Sequence, residues 1–127
     1  MNEFKTDGTP KTPSISGEVE NGQISIKGIC IPEDARNFFL PFRDWLLEFT
    51  EYTSNKINVE VDLEYFNTST SNILLDVFKH LHRTAQSKEV SITWVYEEDD
   101  VDMKEVGEDY QIMVGDIIEL KSKSILN

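Results

Sequence analysis

Cysteine is almost missing from this chain. Cys30 is the only one in 127 residues, so no internal disulfide can form and burial alone must hold the fold together. Glycine and proline are sparse, at 6 and 4 residues, which excludes collagen-like and low-complexity classes. No Gly-rich phosphate loop, no Gly-x-Ser-x-Gly elbow and no Cys-x-x-Cys pair occurs. No run approaches the roughly 20 apolar residues of a membrane span, and Met1 to Pro13 lacks the apolar stretch of a signal peptide. Positive charge is scarce as well. Lys and Arg number 12 against 24 Asp and Glu, for a net charge of −12. Nucleic-acid backbones and anionic membranes recruit excess cations, so neither nucleic acid nor membrane insertion is expected. These absences point to a single domain in a reducing cytoplasm.

What is present reads as an α/β chain. Residues 1–13 are rich in Thr, Pro, Gly and Lys and are expected to be a flexible N-terminal arm, with residues 14–127 as one domain. Ile15 to Glu20 and Gln23 to Gly28 flank Asn21-Gly22, a pair suited to a type I′ hairpin turn because both residues tolerate positive φ. Phe38, Phe42, Trp45, Leu46 and Phe49 share one face of a helix expected over 33–53, with Asp34 as its cap. Pro41 either kinks that helix or starts its main segment. Ile57, Val59, Val61, Leu63 and Tyr65 alternate with polar residues as a half-buried strand. Ile73, Leu74, Val77, Phe78, Leu81 and Ala85 form the stripe of a second helix. Val90, Ile92, Trp94 and Tyr96 mark a strand, residues near 100–113 a third helix, and Ile117, Ile118 and Leu120 a closing strand. Helices between strands imply a mixed, mostly parallel sheet with the hairpin at one edge and about three helices.

Chemistry concentrates where the central strand meets the second helix. Asn67-Thr68-Ser69-Thr70-Ser71-Asn72 carries four successive hydroxyls, and no charged residue lies between 65 and 75. Loops past the carboxyl ends of parallel strands commonly hold function in α/β domains. A helix N-terminus also offers free N–H groups and a positive dipole end to an added phosphate. One of the four hydroxyls is expected to cap the helix whatever the function.

The segment Leu63–Leu75, LEYFNTSTSNILL, closely resembles the signature of the SiaC-type regulatory phosphoproteins of bacteria, which are STAS-like and related in logic to anti-sigma-factor antagonists. Ile31-Pro32-Glu33-Asp34, Phe38-Phe39, Pro41 and Trp45-Leu46 follow the same pattern, as do Trp94 to Asp100, Asp102-Met103 and Glu105 to Tyr110. The resemblance spans nearly the whole chain. It departs at Asn72, where the family pattern carries a lysine, and at Asp34, where Asn is more usual.

The resemblance implies a single small STAS-like domain acting as a non-enzymatic phosphoprotein, without cofactor or metal. It implies phosphorylation at Thr68 by a cognate protein kinase and its reversal by a PP2C-type phosphatase. It further implies that the unphosphorylated form binds an effector, such as a GGDEF-type diguanylate cyclase. Tyr65, Asn67, Ser69, Thr70, Ser71 and Asn72 are the expected partner-binding neighbours. Two other readings use the same junction: a module binding a small anionic ligand, and a constitutive interaction domain in which Thr68 only caps.

The remaining candidates read as structural. The acidic run Glu97 to Asp102 lacks EF-hand spacing and suits a solvated helix start, where carboxylates favour the dipole. His80 and His82 lie two apart and so face different sides of a helix. Cys30 reads as a packed thiol.

Overall fold

The computed structural model describes residues 1–124. Among them the chain runs β1 (Phe4–Thr6), β2 (Ser14–Gly17), β3 (Gln23–Cys30), α1 (Ala35–Tyr52), β4 (Ile57–Phe66), α2 (Thr68–Thr84), β5 (Val90–Glu97), α3 (Val101–Val114) and β6 (Ile118–Lys123). The six strands lie side by side in chain order. β1 with β2 and β2 with β3 pair antiparallel, and β3 to β6 pair parallel.

That order explains the layering. A crossover between parallel strands is right-handed in nearly all proteins. Here each crossover steps in the same direction, so all three helices fall on one face of the sheet. The period-two pattern of β4 records it. Ile57, Val59, Val61 and Leu63 are buried, while Asn58, Glu60 and Asp62 are half-buried and Glu64 is exposed. The open face is polar and laced by ion pairs, Lys27 with Glu60 at 3.5 Å and Lys123 with Asp62 at 2.8 Å.

The covered face is packed by Phe39, Phe42, Leu46 and Phe49 from α1, Leu74, Val77, Phe78 and Leu81 from α2, and Met103, Tyr110 and Val114 from α3. Trp94 of β5 is the hinge of this packing. Its ring meets Phe66, Phe78 and Tyr110 edge-on, and its Nε1 donates to the Met103 carbonyl at 3.0 Å. Gly107 lets α3 come this close. A Cβ there would sit 2.4 Å from Leu120 and 2.5 Å from Trp94.

Two expectations change and one narrows. Residues 4–6 of the expected arm are a sheet strand: Phe4 packs on Phe42 and Trp45, and Trp45 Nε1 donates to the Asn2 carbonyl at 2.8 Å. Ile31 N–H also bonds to the Lys11 carbonyl, tying the rest of the segment to the end of β3. The hairpin forms without a type I′ turn. Pairing stops at Gly17–Ile24, and a five-residue loop from Glu18 to Gly22 tucks Val19 against the core. Of Asn21 and Gly22, only Gly22 has positive φ, at 68°, and a Cβ on it would strike the Lys56 carbonyl at 2.1 Å. Pro41 lies inside one continuous α1. The helical bond it cannot make would have gone to Asn37, on the exposed flank.

Candidate functional site

The site is built at the carboxyl end of β4. Asn67 is extended, with φ −88° and ψ 170°, and is the N-cap of α2. Its Oδ1 accepts from Thr70 N–H at 3.0 Å and from Thr70 Oγ1 at 2.7 Å. Its Nδ2 donates to the Pro32 carbonyl at 3.1 Å, and its own N–H bonds to the Cys30 carbonyl at 3.1 Å. One amide thus anchors the helix start to the loop after β3. The expectation that a residue of 68–71 caps is therefore corrected. Asn is among the strongest N-caps, and at position 67 it already provides the acceptor.

The four hydroxyls divide by helix geometry. Thr70 turns inward and is fully buried. Its hydroxyl lies 2.7 Å from Asn67 Oδ1 and 3.3 Å from the Cys30 carbonyl, both acceptors, and 3.4 Å from the Cys30 thiol. Ser71 meets Tyr110 of α3: Tyr110 OH donates to the Ser71 carbonyl at 2.9 Å, and the two hydroxyls lie 3.1 Å apart. Thr68 and Ser69, the first two residues of α2, are exposed. Asn72 is exposed too, and Tyr65 retains 60 % of its surface. The outward set is therefore Tyr65, Thr68, Ser69 and Asn72, with Asn67 half-buried beneath it. Thr70 and Ser71 are tied to the scaffold.

Burial raises the Cys30 thiol pKa, partly offset by the Thr70 hydrogen bond, so the group stays a packed thiol. Burial also raises the Tyr110 phenol, against its bond to Ser71. At the helix start, Thr70 N–H is taken by Asn67 Oδ1 and Ser71 N–H by the Asn67 carbonyl. The N–H groups of Thr68 and Ser69 precede the helical ladder and point outward at the positive end of the dipole.

A sequence profile describing SiaC family regulatory phosphoproteins matches residues 6–123. The chain belongs to the SiaC family. An uncharacterized protein of Pseudomonas aeruginosa (strain UCBPP-PA14) is 27 % identical over 112 residues, covering 87 % of this chain and 89 % of that protein. Apo-SiaC from Pseudomonas aeruginosa superposes with a TM-score of 0.90 at 25 % identity, over 96 % of this chain and 100 % of that one. SiaC of the same organism in complex with the diguanylate cyclase SiaD, which it activates, superposes at 0.89 with 24 % identity, over 94 % and 99 % of the two chains.

Two elements of this SiaC family site escape a linear reading. One is the Asn67 cap. The signal for it was the recurring Asx three residues ahead of the N–H it satisfies, as in Asp34 to Asn37 and Asp100 to Met103. The other is Tyr110, 39 residues away in sequence, for which no local pattern exists.

Proposed function

We propose that this protein is a non-enzymatic switch in which a cognate protein kinase phosphorylates Thr68 and a PP2C-type phosphatase reverses it. The unphosphorylated form binds and regulates an effector, such as a GGDEF-type diguanylate cyclase, in the cytoplasm. The observation that carries this reading is the separation of labour at the helix start. Asn67 caps α2 and Thr70 is buried, so the hydroxyls of Thr68 and Ser69 are exposed and spare, and the family resemblance selects Thr68 between them. A kinase can modify it without unmaking the fold. Membership of a family of regulatory phosphoproteins supports the same reading, as does the diguanylate cyclase partner of the Pseudomonas aeruginosa relative.

The mechanism is electrostatic and local. A phosphate adds about −1.5 to −2 charges and three acceptor oxygens. The free N–H groups at 68 and 69 and the helix dipole favour it in the isolated protein. An effector seated on Tyr65, Asn67, Ser69 and Asn72 must desolvate or pair that dianion, which weakens the complex. A net charge of −12 offers no general attraction in compensation.

A ligand-binding module has less support. In open α/β sheets, ligands enter where strand order reverses, and from β1 to β6 this order does not reverse. Residues 66–72 line neither the groove between α1 and α2 nor the clefts beside β4 and β5.

The test is co-expression with the cognate kinase, read by phosphate-affinity electrophoresis. Wild type should shift and Thr68→Ala should not, and Thr68→Glu should lose effector capture while Thr68→Ala retains it. A shift that persists in Thr68→Ala overturns the assignment. Equal capture by both variants would make the protein a constitutive docking domain.

A further inference from the structure

The scarce cations of this chain are not evenly spread. The chain has three arginines, Arg36, Arg43 and Arg83, and all three line one groove between α1 and α2, of about 310 Å³. Lys79 joins them, and among the described residues Asp76 is the single carboxylate facing the same groove. Among the described residues no carboxylate lies within ion-pair distance of any of the three guanidiniums, although acids outnumber bases two to one.

The apolar part of the groove is equally ordered. Arg36, Leu40, Arg43 and Leu47 recur at i, i+4, i+7 and i+11, one stripe of α1 in which cation and leucine alternate. Leu40 and Leu47 each keep 40 % of their surface exposed. On the α2 wall, Ile73 and Val77 supply apolar surface, while His80 is held by Thr50 of α1 at 2.9 Å. The two helices thus form a trough with an apolar floor and cationic edges. A point anion would use the arginines but leave the leucines idle. A purely apolar ligand would do the reverse.

We infer that the α1–α2 groove is a docking surface for an amphipathic helix of a partner protein, its leucine-type stripe on Leu40 and Leu47 and its flanking carboxylates on Arg36, Arg43, Lys79 and Arg83. Helix-in-groove recognition takes anchors at this spacing, and guanidiniums suit bidentate carboxylate pairing. The inference stands on the groove alone and does not depend on the role of Thr68.

The probe is a synthetic amphipathic helix of about 20 residues, roughly 30 Å long, with leucines on one face and glutamates flanking them. A matched peptide has lysines in place of the glutamates. Both are titrated into the full, unphosphorylated chain, with binding read by fluorescence anisotropy and backbone amide shifts. The acidic peptide should perturb amides of 36–47 and 73–83. Its affinity should fall about tenfold or more in the doubly reversed Arg36→Glu, Arg43→Glu chain and should weaken as salt is raised. Circular dichroism checks that this surface variant stays folded, and the wild-type shift map stands independently of it. No binding into the millimolar range overturns the inference, as does equal binding of the lysine peptide or a shift map on 65–72 or 97–109. Phosphatidylglycerol vesicles that bind with the same arginine dependence would reassign the groove to a membrane surface and overturn it too.

Discussion

The junction between β4 and α2 and the junction between β5 and α3 are built alike but present different surfaces. Each is a parallel strand running into a helix whose cap side chain accepts from the N–H three residues on, Asn67 from Thr70 and Asp100 from Met103, both at 3.0 Å. The difference lies in the other half of the cap. Asn67 must also donate, because its Nδ2 holds the Pro32 carbonyl. Asp100 has only acceptor work, so a carboxylate serves. The first helical residue then differs too: Thr68 offers an exposed hydroxyl where Val101 offers an exposed isopropyl group. Carboxylates surround the second junction, at Glu97, Asp99, Asp100 and Asp102, whereas no charged residue interrupts 65–75. A helix start needs an acceptor cap. Under the proposed switch, only the first junction, with its neutral cap and the spare hydroxyl after it, offers a place for phosphate.

The largest effect that could break this comparison is all-or-none. Moving the hydroxyl, as Thr68→Val with Val101→Thr, should abolish kinase-dependent phosphorylation rather than relocate it, as read by phosphate-affinity electrophoresis and peptide mapping. Next comes the exchange of caps. Asn67→Asp keeps the acceptor but turns a carboxylate onto the Pro32 carbonyl, and should lose about 1–3 kcal/mol in urea denaturation. Asp100→Asn should lose less than about 1 kcal/mol, since both residues cap and only the dipole term changes. Equal losses would show that the donor bond of Asn67 is idle.

Within the hydroxyl run, Thr70→Val should cost about 1 kcal/mol, because a buried bonded hydroxyl is removed. Thr68→Ala should stay within about 0.5 kcal/mol, as exposed positions do. The smallest effect lies at the far end of α2. Burial first, then the nearby Arg83 charge, lower the His80 pKa from its usual 6.5, with Glu51 opposing. The unfolded chain therefore takes up a proton that the folded chain refuses as pH falls below about 6.5, and stability drops across that window. His80→Gln should flatten the wild-type slope between pH 7 and pH 5.

Legibility followed locality. The alternation of Ile57 to Leu63 and the helical stripe of Leu74, Val77, Phe78 and Leu81 were readable because each side chain's burial is set by its own element's period. Phe4 was not, because a three-residue strand has no period and its docking partners, Phe42 and Trp45, are 38 and more positions away. The Asn21-Gly22 turn misled for a related reason. Local φ preference favoured a tight turn, but packing of Val19 and the close approach of Gly22 to the Lys56 carbonyl imposed a longer loop.

By itself the sequence determined the acidic balance, the strand and helix periods, and the neutral hydroxyl run where β4 meets α2, since these depend on composition and near neighbours. Tertiary structure decided which two of the four adjacent hydroxyls, those of Thr68 and Ser69, stay exposed. Asn67 can cap α2 as it does only because β3 places the Pro32 carbonyl beside it, and Ser71 is held only because α3 brings Tyr110 across. The same folding gathered three arginines from two helices into one groove. Residues distant in the chain share a surface only once the strand order has set their helices side by side.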